Sequence, residues 1–316
     1  MMFKKWLALE LSVVLLAVGA TVLTACKQEA AETEKAQAET PAPQNSKKKK
    51  LPQELKDHWY AGKAEISSYR LQQVRYGEKR EGQAVLVYVT EPFLPKVQVK
   101  ADRAHPDNIP VLKLNATKNY LTGIYPYSIM SSTFFPVYQE GHAVKVTFSA
   151  QEWCGQTFMQ LNNRDGFHIV SHSYFEGEAD QDITLEEAVL ENELWTQLRL
   201  DPDALPTGNF LAIPSFEYLR LEHKEIKAYE ATAKLENADG KRNYSIDYPE
   251  LGRGLTLFFE DEAPYQITGW EERSTRGQGE NARTLTSTAQ LINTLNTPYW
   301  EQNGNEHAHL RDSLGL

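Results

Sequence analysis

Cys154, in the stretch Ser149–Phe158 (SAQEWCGQTF), has the most scope for covalent chemistry in this sequence. The letters WCG resemble half of a dithiol redox motif, but Thr157 stands where the second cysteine would be, which excludes an intramolecular dithiol cycle. A cysteine hydrolase would need a histidine beside the thiol, and His168 and His172 lie on the next predicted strand. We interpret Cys154 as a small apolar residue of the core. A reactive thiol acting with His168 or His172, and a disulfide to a partner protein, stay as alternatives.

The sequence predicts no metal site and no cofactor. His168 and His172 are four residues apart on a predicted strand, a span of about 13 Å, which is too far for one ion. The acid-rich segment 174–182 (YFEGEADQD) lacks the ordered spacing of a calcium loop. The chain also contains no Gly-rich phosphate loop and no nucleophile elbow.

A group of aromatic residues is the remaining candidate for a site. Such side chains ordinarily fill a core, but they can also line a pocket or groove for an apolar or sugar-like ligand. The group consists of Tyr120, Tyr125, Tyr127, Phe134, Phe135 and Trp153.

The elements that must position these residues are mainly strands. Short runs rich in Val, Ile, Tyr and Phe, often alternating and separated by Gly, Pro, Asn or Asp, predict about a dozen strands. We therefore expect a mainly β (α+β) fold, which is an antiparallel meander, a half-barrel, or two continuous β subdomains. Asp239-Gly240 predicts a tight hairpin.

One main helix is predicted over 184–199, since Thr184 and Glu187 form a capping box ahead of apolar residues at helical spacing. The helix would join two halves, 51–183 and 200–302, of a β-rich body at 51–302. The polar residues 303–316 predict a loose tail.

The first fifty residues predict export and lipidation. Lys4 and Lys5 precede an apolar run, and Leu23-Thr24-Ala25-Cys26 resembles the lipobox of bacterial lipoproteins. We expect a signal peptide at 1–25, acylation of Cys26 and insertion of its acyl chains into the lipid bilayer. Residues 26–50 lack large apolar side chains and predict a disordered tether. Lys27, where an inner-membrane protein of this class has Asp, favours the outer membrane, on its periplasmic or surface face.

The charge of the chain argues against nucleic acid as a partner. The 316 residues carry a formal net charge of −10, which becomes −11 when residues 1–25 are removed. An acidic surface repels phosphate backbones. A hydrophobic content of 41% is ordinary for a globular protein.

Several segments resemble an uncharacterised family of Gram-negative envelope lipoproteins. They are HWYAGKAEISSY, RYGEKREGQAVLVYVTEPF, LTGIYPYSIMSS, QEWCG and YFEGEAD. Members of that family are sometimes labelled "septum formation inhibitor Maf". True Maf proteins are cytoplasmic nucleotide pyrophosphatases with a Ser-Pro-Arg-Arg motif on an α/β fold, and this chain has no such motif. The resemblance therefore implies a location and a β-rich shape, but no activity.

Together these features predict an outer-membrane lipoprotein whose function is non-catalytic. It would bind or carry an apolar small molecule, or act as a scaffold for another envelope protein. The alternatives are an enzyme that uses Cys154, and a surface adhesin or assembly partner.

Overall fold

Apolar and polar residues alternate along most of the chain, and this period of two residues builds one large β-sheet. A computed structural model describes residues 50–238, 241–276 and 282–316. Within these ranges the sheet has sixteen strands: β1 (Ala64–Arg75), β2 (Glu78–Leu94), β3 (Val99–Lys100), β4 (Ile109–Thr122), β5 (Tyr125–Pro136), β6 (Lys145–Glu152), β7 (Gly155–Asn163), β8 (Phe167–Ser173), β9 (Gln181–Leu185), β10 (Val189–Leu190), β11 (Gly208–Ile213), β12 (Tyr229–Ala238), β13 (Lys241–Tyr248), β14 (Arg253–Glu260), β15 (Ile267–Arg276) and β16 (Arg283–Thr297).

The prediction of a mainly β chain is confirmed, but the sheet is larger than either predicted half. Its order is β10-β11-β12-β13-β14-β15-β16-β1-β2-β4-β5-β6-β7-β8-β9, with β3 attached to β2. Strands β1 and β16 pair from Ala64–Thr297 to Gln72–Thr288, so the two halves form one continuous sheet. Neighbouring strands are antiparallel, except that β10 runs parallel to β11. The edge strands β9 and β10 are joined by only residues 186–188.

Four α-helices accompany the described strands: α1 (Gln53–Trp59), α2 (Glu191–Leu200), α3 (Phe216–Leu221) and α4 (Leu310–Ser313). The predicted start of the main helix at Thr184 is wrong. Thr184 instead pairs with His168 between β8 and β9, and Val189 and Leu190 pair with β11. The helix therefore begins at Glu191, and the Glu193 carboxylate, at the third helical position, accepts a hydrogen bond from the Leu190 backbone N–H at 3.1 Å.

The sheet curves around α2 and α3. Strands β4 and β15 are separated by three other strands, and at about 4.8 Å per step a flat sheet would hold them roughly 19 Å apart. Yet Lys118 on β4 and Glu272 on β15 are joined by a hydrogen bond of 2.7 Å. The Tyr88 hydroxyl likewise donates to the Trp195 carbonyl of α2 at 3.1 Å. Apolar side chains of the concave face and of both helices form one continuous core.

The polar residues 303–316 are not loose. Leu314 is buried, and its carbonyl accepts a hydrogen bond from the Ser68 hydroxyl of β1. Asn293 on β16 donates to the Ser313 carbonyl. The predicted loose tail is therefore wrong, because these short-range turns and α4 cover the convex face where β1 meets β16.

Several sequence predictions lie outside the described residues. These are the signal peptide at 1–25, Cys26, the tether up to residue 49, and the Asp239-Gly240 turn itself. The strands that flank this turn pair antiparallel, with Ala238 opposite Lys241. Among the described helices, none has the length and apolar character that a membrane span requires.

Candidate functional site

A cavity of about 410 Å³ lies between α3 and the concave face of strands β14, β15, β16 and β1. Its wall combines apolar side chains with charged ones, which is the composition of a ligand site rather than of a simple packing defect. The lining residues used below are Gln73, Arg75, Glu217, Leu221, Arg253, Glu272, Ser274 and Leu285.

Lys118 holds two carboxylates beside the cavity. Its ammonium donates to Glu217 at 2.8 Å and to Glu272 at 2.7 Å. Burial would lower the pKa of Lys118, but the two carboxylates raise it above its ordinary value and keep the group charged. Burial raises the pKa of Glu217, whereas Lys118 and Arg253 overcome burial at Glu272 and lower its pKa. Glu217 is thus the carboxylate that accepts a proton more readily.

Arg253 extends this charged group toward α2. Its guanidinium donates through Nε and Nη2 to both oxygens of Glu191, with the Nε contact at 3.2 Å. The guanidinium also lies 4.2 Å from the centre of the Tyr218 ring. Arg253 and Glu191 are both nearly inaccessible to solvent, so Glu191 holds Arg253, which lines the cavity, in a fixed position.

Arg75 forms the opposite wall. Its Nη1 donates to the Leu221 carbonyl at 2.7 Å, and its Nη2 lies 3.4 Å from the Tyr127 hydroxyl. The guanidinium is stacked 4.4 Å from the centre of the Tyr76 ring. Only 8% of Arg75 is exposed, yet none of the described carboxylates forms an ion pair with it.

Four of the six predicted aromatic residues come together beside Arg75. Tyr120 and Tyr127 stack with ring centres 5.0 Å apart, and Tyr125 lies 6.0 Å from Tyr127. Trp153 stacks on Tyr125 at 6.0 Å and is 68% exposed. These four rings form a continuous row from the core to the surface.

Phe134 and Phe135 do not belong to this row. They lie at the other end of β5, seven and eight residues beyond Tyr127, which is a distance of about 23 Å or more along a strand. Phe134 packs on Phe93 instead, with ring centres 5.5 Å apart.

The aromatic row ends on a surface that we call the hairpin-tip end. It comprises the turns 76–77, 123–124 and 153–154, which meet at one end of the sheet because alternate turns of an antiparallel meander share an end. Large apolar side chains stand exposed in or beside these turns, and Tyr174 extends the set where β8 ends. They are Tyr76, Leu121, Ile124, Trp153 and Tyr174.

Cys154 lies at this end and not in the core. It is exposed in the turn between β6 and β7, so its interpretation as a buried apolar residue is wrong. Trp153 and Cys154 form the turn itself. A hydrogen bond and the negative charge from Glu152 raise the pKa of the Cys154 thiol. This lowers the thiolate fraction at neutral pH.

The register separates Cys154 from His168. His168 pairs with Asn162, which is seven residues beyond Gly155 on β7, or about 23 Å from the turn. His168 contacts Asp182 at 2.6 Å, and His172 contacts Asp180 at 3.0 Å. Each imidazole therefore has an exposed carboxylate as its partner, and a Cys154–His168 pair is excluded. In the described part of the chain, no cluster of three or more His, Cys, Asp or Glu could hold a metal ion.

Sequence reasoning missed the charged residues of the cavity, although a signal for them was present. Every second side chain of β4 points to the concave face, and Lys118 occupies one of these positions. The others are Leu112, Leu114, Ala116 and Tyr120. Arg75 and Glu272 likewise stand in the inward phase of β1 and β15. A charge in the apolar phase of a strand indicates either a buried ion pair or a site.

Comparison with known proteins adds little to this geometry. No protein-family model and no curated protein matches the chain. Among solved structures, a porin-like protein from Bacteroides uniformis is similar at 8% sequence identity and a TM-score of 0.25, covering 72% of this chain and 95% of that one. A TM-score this low does not establish a common fold.

Proposed function

We propose that this protein is an outer-membrane lipoprotein that binds and carries a small amphipathic molecule of the cell envelope without transforming it. The supporting observation is the cavity of about 410 Å³, which reaches the hairpin-tip end at Gly77. Its volume falls within the range of about 300–1,000 Å³ that is typical of small-molecule sites. The wall includes Leu221 and Leu285 as well as charged groups, which suits a ligand with both apolar and polar parts.

Blocking the cavity tests this proposal. Ser274 lies on its wall, so Ser274→Trp should fill part of the volume and reduce the amount of bound ligand at least several-fold. The full chain is purified from membranes in detergent, and molecules that remain bound are extracted with organic solvent and identified by mass spectrometry.

Ser245→Trp is the matched control. Ser245 lies on β13 opposite Thr256 of β14. It stands between the buried residues Tyr244 and Ile246, so its side chain points to the convex face. The control should retain the ligand. Equal amounts of every small molecule in wild type, Ser274→Trp and Ser245→Trp would contradict a carrier role.

The anchoring part of the proposal rests on the lipobox around Cys26. Radiolabelled palmitate should be incorporated into wild type but not into Cys26→Ser, and the variant should leave the membrane fraction. Protease treatment of whole cells then distinguishes the two faces of the outer membrane, because only a surface-exposed body is degraded. Incorporation of label into Cys26→Ser would refute this assignment.

A role as an assembly partner is the second candidate, and the exposed apolar side chains of the hairpin-tip end favour it. If this end binds an envelope protein, replacing Ile124 and Trp153 by Ser should abolish cross-linking to one specific partner in cells. The corresponding change at Val97, which is exposed in the turn after β2, serves as the control. An unchanged cross-linking pattern in the double variant would exclude this candidate.

A further inference from the structure

The cavity wall carries an excess of negative charge on the side of α3. Five buried or nearly buried groups form one connected cluster there. Glu217, Glu272 and Arg253 line the cavity, and Glu191 and Lys118 pair with them. Three carboxylates face two cations, so one carboxylate has no cation of its own. Glu217 shares Lys118 with Glu272 and lines the cavity directly, which makes it the group that a ligand could neutralise.

The β1 side of the cavity carries the opposite imbalance. Arg75 is buried against neutral acceptors, the Leu221 carbonyl and the Tyr127 hydroxyl, and its Nε has no hydrogen-bond partner. The contact to Tyr127, at 3.4 Å, is long for a hydrogen bond. Gln73 lines the same cavity, is only 5% exposed, and its Oε1 also has no partner.

An unneutralised buried charge and an unpartnered buried polar atom both destabilise a fold unless something pairs with them. Here Arg75, Glu217 and the unpartnered Oε1 of Gln73 all line one cavity. We propose that the cavity binds a zwitterion that carries one ammonium and one carboxylate or phosphate, with the ammonium at Glu217 and the acidic group at Arg75. This assignment rests on the proposed carrier function and specifies the chemical class of its ligand.

The chemistry of the two anchors fits this orientation. A guanidinium presents a planar set of donors that matches a carboxylate or phosphate, and the stacked Tyr76 ring fixes its plane. A carboxylate and the Gln73 amide oxygen are acceptors suited to the three donors of an ammonium. The same chemistry occurs in the aminoethyl phosphate headgroup of a lipid and in a free amino acid, so the test includes both.

Titration calorimetry of the full wild-type chain in detergent tests the ligand class without any mutation. The probes are glycerophosphoethanolamine, which has both charges, ethanolamine, which lacks the acid, glycerol phosphate, which lacks the ammonium, and glycine. We expect a two-charge probe to bind at least tenfold more tightly than either single-charge probe, because each of these loses one charge-assisted contact.

A variant pair assigns the acidic group to its anchor. Arg75→Met should weaken the two-charge probe at least tenfold and leave ethanolamine unchanged. Arg242→Met is the matched control, since Arg242 is also 8% exposed but pairs with Asp203 and does not line the cavity. Arg75→Lys, which keeps the charge, provides a folded comparison if the methionine variant is unstable.

The outcomes separate the ligand sources and the two proposals. Tighter binding of glycerophosphoethanolamine than of glycine supports a lipid headgroup, and the reverse supports a free amino acid. The zwitterion assignment is overturned if one-charge and two-charge probes bind equally tightly. It is also overturned if no probe binds at concentrations of about 10 mM. The carrier function would still stand in that case if Ser274→Trp lost a co-purified ligand that wild type retains.

Discussion

The ion pair between Glu65 on β1 and Arg199 on α2 gives a quantitative test of how the helix is held inside the sheet. Arg199 donates through Nη1 and Nη2 to the two carboxylate oxygens of Glu65 at 2.6 and 2.8 Å. His58 contacts the second oxygen at 2.9 Å. Both members of the pair are almost completely buried, so solvent screens their interaction little.

The size of the effect follows from the pKa of Glu65. Burial alone would raise it, but Arg199 and His58 lower it from 4.5 to about 2. At about 1.4 kcal/mol per pH unit, this lowering corresponds to roughly 3 kcal/mol of stability. Because the folded pKa is the lower one, this contribution is fully present above about pH 4.5 and is lost as the pH falls toward 2.

The assay is urea unfolding followed by tryptophan fluorescence. At pH 7, Glu65→Gln should lower the free energy of unfolding by about 3–5 kcal/mol, because it leaves a buried guanidinium without a counter-charge. Adding Arg199→Met should restore part of this loss. The difference in free energy of unfolding between wild type and Glu65→Gln should decrease steadily as the pH falls from 4.5 to 3.

Asp247→Asn is the control, since Asp247 and Arg273 form a half-exposed pair that should contribute at most about 1 kcal/mol. A cost below about 1 kcal/mol for Glu65→Gln at pH 7, comparable to that of an exposed pair, would refute the reasoning. A difference in free energy of unfolding that stays constant as the pH falls would also refute it.

Three further predictions concern other parts of the molecule. Lys118→Met leaves two buried carboxylates without their cation and should lower the free energy of unfolding by about 3–5 kcal/mol, or Tm by roughly 10 °C in a scanning calorimeter; an unchanged Tm would contradict the cluster. Glu152→Gln removes the charge that raises the pKa of Cys154, so a thiol reagent should label the variant faster than wild type at pH 7.5, and equal rates at every pH would show that Glu152 has no such effect. Gly269→Ala would place a methyl group 2.5 Å from a backbone carbonyl of β16 and should cost about 1–3 kcal/mol in chemical denaturation, whereas Gly177→Ala, with open space around it, should be nearly neutral.

The sheet was predictable because strands with one buried face carry their own signal. In β13, for example, Arg242, Tyr244, Ile246 and Tyr248 are buried and alternate with outward residues. The pairing of β1 with β16 was not predictable, because the period of two fixes which face a residue occupies and not which strand lies beside it.

The main errors arose where tertiary contacts outweigh a local signal. Thr184 and Glu187 match a capping box, but pairing of β9 with β8 holds Thr184 extended. At Cys154, neither the turn between β6 and β7 nor the strand β7 that follows it was recognised. Of the six aromatic residues grouped from the sequence, Tyr120, Tyr125, Tyr127 and Trp153 lie together and the two phenylalanines do not. The charges of the cavity could not be grouped without knowing which strands face each other.

The union of β1 with β16 has a consequence for how the chain acquires its structure. These two strands are neighbours in space but stand more than two hundred positions apart, with Ala64 opposite Thr297. Because the chain is synthesised from its N-terminus, the edge of β1 that pairs with β16 has no backbone hydrogen-bond partner until nearly the whole polypeptide has emerged. Contacts of such long range also form slowly. A chain that ends before β16 would therefore lack a central strand of the sheet and not an edge strand. We expect such truncated chains to be degraded by proteases and to retain no partial function.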